Sequence, residues 1–312
     1  MVEISVIIPI KDAESTITNT IHSIVKSAGS LELEIIVVDD SSSDASFATV
    51  KNLSYEQVVL MKNEGSGIAN ALNSGLCAAR GRYIARCDAD DFFSPDRLLL
   101  QWQWLETHPE FGAICGRFAA IEHEKGPIIT LGSEDRCEIS KELRNGITRT
   151  SLCTFLIRKN AAKSTGSFRP FFIISEDIDY QLRLGENTRV YYQPRIEYYY
   201  RLHETSVTHS SAPNQRTFFD NCALQFQKER KKMGQDSLQK DQAPIIPQPI
   251  NSPKKQANTH FYNLLEGSIW KQYACGNKQQ AIKQSLTLLK KRWWKPSAWK
   301  IFLTITARSV RK

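Results

Sequence analysis

Short, nearly continuous runs of β-branched residues alternate with helical patterns through the first part of the chain, and this alternation limits the folds available to it. ISVIIPI (4–10) and LEIIVVDD (33–40) are typical of strands buried on both faces. Between them Ile17, Ile21 and Ile24 recur at helical spacing, which predicts a strand–helix–strand unit. We therefore predict an α/β fold with a mostly parallel central sheet flanked by helices.

The same patterns continue along the chain. Further strands are predicted at 57–62, 81–88 and 189–203, and further helices at 67–79, 94–109 and 175–185. The helix at 94–109 is predicted to have Ser94 as its N-cap and Pro95 as its first residue. Helix and strand patterns therefore extend well beyond the first strand–helix–strand unit.

Composition excludes several classes of protein. No stretch approaches the roughly 20 apolar residues of a membrane-spanning helix. The opening MVEISVIIPI reads as a strand and lacks the basic region and cleavage site of a signal peptide. The seven cysteines are scattered without a CxxC pair, which favours free thiols over disulfides or a zinc site. We expect a cytoplasmic protein.

Five aspartates follow two of the predicted strands. Asp39 and Asp40 end the second strand, and Asp88, Asp90 and Asp91 follow the fourth. The carboxyl ends of parallel strands meet at one edge of a sheet, where ligands bind. Crowded carboxylates repel one another unless a divalent cation, Mg²⁺ or Mn²⁺, bridges them to phosphate oxygens. The pattern predicts a nucleotide-diphosphate site with a metal, although Asp-x-Asp alone is more often turn chemistry.

Other nucleotide and phosphate sites do not fit the residues. After the first strand the chain reads PIKDAES, so the GxGxxG of a dinucleotide site is absent. There is no GxxxxGK[ST] loop. A phosphatase with an aspartate nucleophile would need that residue after the first strand, where Pro9, Ile10 and Lys11 stand.

Five ordered blocks spanning residues 4 to about 209 resemble the family 2 inverting glycosyltransferases, which have the GT-A fold. The blocks are SVIIPIKDAESTITNTIHSI, EIIVVDDSSSD, NEGSGIANALNSGLCAARGRYIARCDADDFFSPDRL, SEDIDYQLRL and YRLHETSVTH. The resemblance implies a GT-A catalytic domain over 1–215, with a nucleotide-sugar half over about 1–110 and an acceptor half over about 111–215. No QxxRW-like element follows the fourth block, so the resemblance implies a non-processive bacterial enzyme that adds one sugar.

The resemblance also implies roles for residues on the donor side. Pro9 and Asp40, with Asp39, would line the pocket for the base and ribose, and Arg80 would lie near the nucleotide. Asp88 would lie near the ribose and Asp90 would bind the metal. The family often has Tyr-Asn after the proline, where this chain has Lys11 and Asp12, so one base contact differs.

On the acceptor side the resemblance implies that Asp177 is the catalytic base. Glu176 and Asp91 would contact the sugar or support the site, and His203 would lie near the diphosphate or metal. Two alternatives stay open: Asp177 as a charge that complements a helix dipole, and His203 as a surface histidine. The segment GITRTSLCTFLIRK lacks the histidine expected before its serine, which leaves the acceptor undetermined.

Charge is distributed unevenly along the chain. Residues 1–200 hold 21 Lys and Arg against 27 Asp and Glu, whereas residues 201–312 hold 20 against 6. We predict a helix over 216–233, a linker or mobile loop over 234–258, and a basic helical C-terminal extension over 259–312. Basic residues mixed with tryptophan over 261–312 suit an anionic membrane surface, which would make the enzyme peripheral on the inner face of the plasma membrane. A helix packed on the catalytic domain is the alternative.

Together these features predict a metal-dependent glycosyltransferase. It would move one sugar from a nucleotide-diphosphate sugar, with UDP as the expected nucleotide, to a hydroxyl of a glycan or lipid-linked glycan. A non-catalytic nucleotide- or sugar-binding protein with the same fold is the alternative. A nucleic-acid partner rests on charge alone, because no aromatic–basic motif of an RNA-binding sheet is present, and none is expected.

Overall fold

The structure is a computed structural model, and it describes residues 2–121, 128–131, 133–201, 212–250, 262, 265–270, 273 and 278–307. The chain divides into two compact units. The first comprises Met1–Phe118, Gly132–Tyr200 and Ala212–Ile250, and the second comprises Ala119–Leu131, Arg201–Ser211 and Asn251–Lys312.

Strands and helices alternate as the sequence pattern predicts. Within the described residues the strands are β1 (Ile4–Ile10), β2 (Leu33–Asp39), β3 (Val58–Lys62), β4 (Tyr83–Arg86), β5 (Phe92–Phe93), β6 (Ala113–Ile121), β7 (Ile128–Leu131), β8 (Cys137–Glu138), β9 (Leu156–Arg158) and β10 (Val190–Arg201). The helices are α1 (Ile17–Ala28), α2 (Ser46–Lys51), α3 (Ile68–Ala78), α4 (Arg97–Thr107), α5 (Ser140–Arg144), α6 (Lys159–Thr165), α7 (Glu176–Asn187), α8 (Pro213–Met233), α9 (Lys278–Lys291) and α10 (Pro296–Ala307).

The sheet begins with a parallel half and continues with an antiparallel one. Its strand order is β3-β2-β1-β4-β9-β6-β10-β5, and β8 pairs with β10. The pairs β2/β3, β1/β2 and β1/β4 are parallel, whereas β9 runs antiparallel to β4 and β6. In register, Ile7 faces Ile36 on one side and Arg86 on the other. The carboxyl ends of β1, β2 and β4 therefore reach the same edge of the sheet.

Both faces of the parallel half are covered, which explains the nearly continuous apolar runs. Val6 and Ile8 of β1 belong to the same buried cluster as Ile21 of α1. The alternate residue Ile7 packs on the other face with Leu72 of α3. The six cysteines among the described residues are free thiols. The predicted α/β fold is confirmed, with the parallel strands β3-β2-β1-β4 in its central sheet and helices on both faces.

The start of α4 differs from the prediction. Phe93 pairs with Tyr198 of β10, and the amide of Ser94 donates to the carbonyl of Glu197 at 3.1 Å, so the chain stays extended up to Ser94. Asp96 then adopts a left-handed conformation with φ of 58°, and the helix begins at Arg97. Ser94 as N-cap was wrong because pairing with β10 holds it outside the helix.

In the second unit α9 and α10 form an antiparallel helical hairpin. The ammonium of Lys278, at the start of α9, donates to the carbonyl of Thr306 near the end of α10 at 3.2 Å. Ala298, Ile301 and Ile305 of α10 are buried on one side of that helix. In the part of the chain that the structure describes, no helix has both the length and the apolar character needed to cross a bilayer.

Candidate active site

The carboxyl edge of the parallel strands gathers four of the predicted site residues. Ile10, the last residue of β1, pairs with Asp39, and its carbonyl accepts from the amide of Asp40 at 2.9 Å. The amide of Cys87, just after β4, donates to the carbonyl of Ile7 at 3.1 Å. Asp88 and Asp90 therefore emerge at the same edge as Asp39 and Asp40, as the positions after the strands predicted.

Arg86, the last residue of β4, connects this edge to the start of α7. Its Nη2 donates to Oδ1 of Asp88 at 2.9 Å, and its Nη1 donates to Oε1 of Glu176 at 2.9 Å. The side chain of Arg86 is about as buried as that of Glu176, at 10% and 7% exposure. Because a carboxylate on each side lies against the buried guanidinium, its pKa is well above the usual arginine value despite the cost of burial. Arg86 thus holds the two acidic groups at a fixed separation.

Asp177 lies beside this arginine in the first turn of α7. The preceding Ser175 has a left-handed backbone with φ of 63°, and its hydroxyl donates to Oδ1 of Asp220 in α8 at 2.5 Å. A non-glycine residue in that region is strained and persists only where its surroundings enforce it. Asp220 therefore helps to fix the turn from which Glu176 and Asp177 project.

Burial acts on both acids at the start of α7. Desolvation raises the pKa of Asp177 above the ordinary aspartate value, and the positive charges of Arg86 and Arg216 oppose that shift. The charge of Asp88 raises it further. Burial also raises the pKa of Glu176, against the effect of Arg86. A half-buried carboxylate with a raised pKa is a better proton acceptor than one in water.

Asp91 is buried behind the site. Asp91 has no solvent exposure, and its Oδ2 accepts a hydrogen bond from the hydroxyl of Tyr198 at 2.6 Å. The same hydroxyl accepts from the amide of Asp88 at 3.2 Å. This burial disfavours direct contact between Asp91 and a sugar, which was one of the two predicted roles. The role left for Asp91 is to hold the turn that carries Asp88 and Asp90.

Asp40 anchors the loop that follows β3. Its Oδ1 accepts from Nδ2 of Asn63 at 2.6 Å, and both carboxylate oxygens lie 3.0 Å from the amide of Gly67. Gly67 has φ of 83°, a conformation that favours glycine, and α3 starts directly after it. Asp39 accepts from the amide of Ser42 at 3.3 Å. Asp40 therefore fixes the loop that borders the carboxyl edge of the sheet, and Asp39 lies next to Asp40 at that edge.

The loops after β1 and β2 are joined by reciprocal hydrogen bonds. Oδ1 of Asp12 accepts from the amide of Ser43 at 2.7 Å, and the hydroxyl of Ser42 accepts from the amide of Asp12 at 3.1 Å. Glu14 accepts from the amide of Ala45 at 2.8 Å. These bonds hold the two loops beside the half-buried Pro9 in one conformation.

The structure does not bring Arg80 to this edge. Arg80 precedes β4, so it lies at the amino ends of the strands, and its Nη2 lies 2.8 Å from the buried Oε2 of Glu34 near the start of β2. The hydroxyl of Ser5, at the start of β1, donates to the same carboxylate at 2.6 Å. The strand β4 separates Arg80 from Asp88. The predicted position near the nucleotide was wrong, and we leave Arg80 out of the site.

The predicted metal ligands are only partly described. His203 lies outside the described residues. Asp90 is half-buried at the edge next to Asp88. Among the described residues no three His, Cys, Asp or Glu side chains are grouped closely enough to hold a metal ion on their own. One or two carboxylates suit a cation that completes its shell with substrate phosphates and water.

Comparison with known proteins decides the family. The sequence profile described as "Glycosyl transferase family 2" matches residues 5–171, which is more than half of the chain. The chain belongs to glycosyl transferase family 2. It is a glycosyltransferase, and the matched range contains β1 to β4 and the aspartates that follow them. The resemblance inferred from the sequence blocks is confirmed.

Relatives in this family differ in how much of their length the chain matches. The Escherichia coli protein named UDP-Glc:alpha-D-GlcNAc-diphosphoundecaprenol beta-1,3-glucosyltransferase WfaP is 27% identical over 207 residues, or 66% of this chain and 79% of that protein. The minor teichoic acid biosynthesis protein GgaB of Bacillus subtilis is 27% identical over 236 residues, or 72% of this chain and 26% of that protein. The match to GgaB therefore spans about a quarter of its length.

A solved structure agrees on the fold. The crystal structure of S. aureus TarS 1–349 in complex with UDP-GlcNAc has a TM-score of 0.59 at 16% identity, covering 98% of this family 2 chain and 90% of that one. At this identity the likeness concerns the fold alone, and it supports the predicted GT-A architecture.

Sequence reasoning missed two residues that organise the site. Arg86 stands in the otherwise apolar strand run YIARCD, and a lone charge in a buried strand is a signal that it has a partner. Tyr198 stands in the run EYYYR, where alternate tyrosines face opposite sides of the sheet. Which of the three tyrosines faces Asp91 depends on the register with β5, which the sequence does not reveal.

Proposed function

We propose that this enzyme transfers one sugar from a UDP-sugar to a hydroxyl of a glycan or lipid-linked glycan, with inversion at the anomeric carbon. The single observation that carries the proposal is the bridge that Arg86 forms between Asp88 and Glu176. This bridge sets the carboxylates at the strand ends beside the acid pair that starts α7. The proposed donor site and the proposed proton acceptor then lie beside one another.

The donor side is formed by the edge of the parallel sheet. The base and ribose are proposed to bind against Pro9, Asp39 and the loop that Asp40 fixes, with Asp88 near the ribose. UDP as the nucleotide is supported by WfaP, whose name specifies UDP-Glc, and by the TarS crystal, which holds UDP-GlcNAc. The reciprocal hydrogen bonds between the loops after β1 and β2 hold this proposed donor side in one conformation before the donor arrives.

Asp177 is proposed as the base. As the acceptor oxygen bonds to the anomeric carbon, its proton passes to the carboxylate of Asp177, and the bond from that carbon to the diphosphate oxygen breaks. The diphosphate leaves with the electron pair of that bond. A single displacement of this kind inverts the anomeric centre. The raised pKa of Asp177 keeps the carboxylate basic enough for this transfer.

A divalent cation, Mg²⁺ or Mn²⁺, is proposed as cofactor. Asp90 would hold it, with Asp88 nearby and His203 as a further proposed ligand. When bound, it would supply Lewis-acid stabilisation of the charge on the departing diphosphate. Two carboxylates that follow the same strand, at positions 88 and 90, fit a cation that takes its remaining ligands from phosphate oxygens and water.

The acceptor is proposed to belong to surface-polysaccharide or lipid-linked glycan synthesis. WfaP is named for a diphosphoundecaprenol acceptor and GgaB for teichoic acid biosynthesis. The absence of a QxxRW-like element after Asp177 supports transfer of one sugar followed by release. A lipid-linked acceptor lies at a membrane, so we propose that the enzyme works there as a peripheral protein.

The test is a nucleotide-release assay over a panel of UDP-sugars with and without Mn²⁺ or Mg²⁺, followed by NMR of the product anomer. Turnover of one donor with inverted configuration is expected. Asp177→Asn and Asp90→Ala should each lower turnover at least 100-fold, whereas the exposed control Asp135→Asn should not change it. Wild-type rates in both site variants, or retained configuration, would overturn the proposal.

A further inference from the structure

The helical hairpin of the second unit exposes an apolar and basic surface on one side. We call it the Trp–Lys face, and its members are Trp293, Trp294, Lys295, Trp299, Lys300 and Leu303. The three tryptophans and the leucine have between 46% and 66% of their surface exposed, and both lysines are exposed. Large apolar side chains grouped in water are unusual on a folded protein and mark an interaction site.

The helical spacing separates this face from the packed side of α10. Ala298, Ile301 and Ile305 recur at intervals of three and four and are buried. Trp299 and Leu303 lie four residues apart on the opposite side and are exposed. The apolar residues of α10 therefore form two stripes, and only one of them packs within the described structure.

The tryptophans before α10 are ordered relative to the helix. The indole Nε1 of Trp299 donates to the carbonyl of Trp293 at 2.7 Å. The rings of Trp293 and Trp294 contact edge to face, with centroids 6.2 Å apart. A defined cluster of this kind is a preformed surface, and it keeps its apolar rings together in water.

Charge specifies what this face would bind. From residue 267 to the end of the sequence there is no Asp or Glu, and the hairpin from Lys278 to Ala307 carries seven Lys and Arg. Tryptophan prefers the boundary between lipid chains and headgroups, and lysine is attracted to anionic headgroups. The twelve residues of α10 span about 18 Å, too short to cross the roughly 30 Å hydrocarbon core. The chemistry therefore matches an interface and not a membrane span.

We propose that the Trp–Lys face docks on an anionic phospholipid surface, with the indoles at the headgroup boundary and the lysines on the phosphates. This inference is independent of the proposed reaction, since it concerns binding of the protein without donor or acceptor. Docking would hold the enzyme at the membrane surface, where a lipid-linked acceptor is concentrated in two dimensions.

The test is co-sedimentation of the full chain with vesicles of phosphatidylcholine alone or of phosphatidylcholine and phosphatidylglycerol at 3:1, without donor. Wild type should bind the anionic vesicles and lose binding as salt rises. The triple variant Trp293→Ala/Trp294→Ala/Trp299→Ala should bind the anionic vesicles at least roughly tenfold more weakly than wild type. Lys295→Ala/Lys300→Ala should bind on the order of twentyfold more weakly.

Matched controls remove similar groups elsewhere. Ile245→Ala/Ile250→Ala removes two exposed apolar side chains, and Lys51→Ala/Lys141→Ala removes two exposed lysines. Both should bind vesicles as wild type does. Thermal unfolding and turnover with a soluble acceptor establish that the face variants are folded, because the changed residues are exposed and lie outside the first unit, which holds the described residues of the proposed site.

Three results would overturn the proposal. The first is equal pelleting of wild type and both face variants, and the second is equal binding to neutral and anionic vesicles. The third is that wild type does not bind vesicles and instead self-associates, as seen by light scattering, or binds RNA in a gel-shift assay. In either case the activity would be lost in the triple tryptophan variant. Failure of nucleotide release with intact vesicle binding would reject only the proposed reaction.

Discussion

Nη1 of Arg86 lies 2.9 Å from Oε1 of Glu176, which follows it by 90 residues in the chain, and both side chains are about nine-tenths buried. The pair joins the end of the parallel sheet to the helix that presents Asp177. The geometry between the proposed donor site and the proposed base therefore depends on one guanidinium.

Arg86→Met should impair both stability and turnover. Removing the guanidinium leaves Glu176 buried without its cation, and breaking a buried pair costs about 3–5 kcal/mol in the free energy of unfolding. Displacement of the acids should lower kcat/KM by roughly 100-fold. Chemical denaturation and steady-state kinetics measure the two effects. Arg189→Lys, in an exposed pair with Glu138, should change neither, and full activity in Arg86→Met would show that the bridge does not position the site.

The pH profile of turnover should report Asp177. The proposed base must be ionised, and burial raises the pKa of Asp177, so activity should fall as pH falls through a value above that of an ordinary aspartate. Arg86 opposes that rise. Arg86→Met should therefore move the acid limb of kcat/KM to higher pH, while Arg86→Lys keeps the charge and should leave the limb in place. An acid limb that does not move in Arg86→Met would argue against Asp177 as the titrating group.

Tyr198→Phe should loosen the turn after β4. The phenol hydroxyl donates to buried Asp91 and accepts from the amide of Asp88, and its loss should cost about 1–3 kcal/mol of stability. We also expect weaker donor binding, measured by calorimetry with UDP and Mn²⁺. Tyr199→Phe is the matched control, because its ring stacks on Phe92 at 5.0 Å and that contact survives the change. Equal affinities in the two variants would mean that the hydroxyl does not support the site.

Stability should fall as pH rises because of Glu197. This carboxyl is fully buried on β10, and desolvation raises its pKa from 4.5 to about 7. Between those values the unfolded chain loses the proton while the folded chain keeps it, so unfolding is favoured increasingly, by at most roughly 3 kcal/mol. Thermal unfolding midpoints should decline from pH 5 to pH 7.5 in wild type and less in Glu197→Gln. A decline as large in Glu197→Gln as in the exposed control Glu56→Gln would assign the pH effect to other groups.

Local patterns in the sequence were sufficient for most elements of the fold. The isoleucine period of α1 and the apolar run of β1 each depend only on burial, which the residues themselves report. Ser94 was misplaced because a short strand at Phe92–Phe93 pairs with β10, a contact more than 100 residues distant in the chain. The C-terminal extension was predicted only as helical over 259–312. Its division into α9 and α10 was not predicted, since the apolar residues of α10 occupy two sides of the helix and give no single stripe.

The position of a candidate residue was predictable wherever that residue follows a strand. Asp39 and Asp88 lie at the predicted edge of the sheet because the parallel strands end there. Arg80 was assigned from its neighbourhood in the sequence, although a residue that precedes a strand lies at the opposite edge. The bridge by Arg86 required knowing that α7 returns to this edge, which only tertiary structure reveals.

The mutual hydrogen bonds between the loops after β1 and β2 have a consequence for how the enzyme meets its donor. Asp12, Glu14 and their partners have already lost their conformational freedom during folding. A nucleotide that binds beside these loops, as proposed, would lose no affinity to ordering them. Selection among nucleotide bases should accordingly depend on shape complementarity at the first encounter. Substitutions that remove the hydrogen bonds between these two loops should relax that specificity.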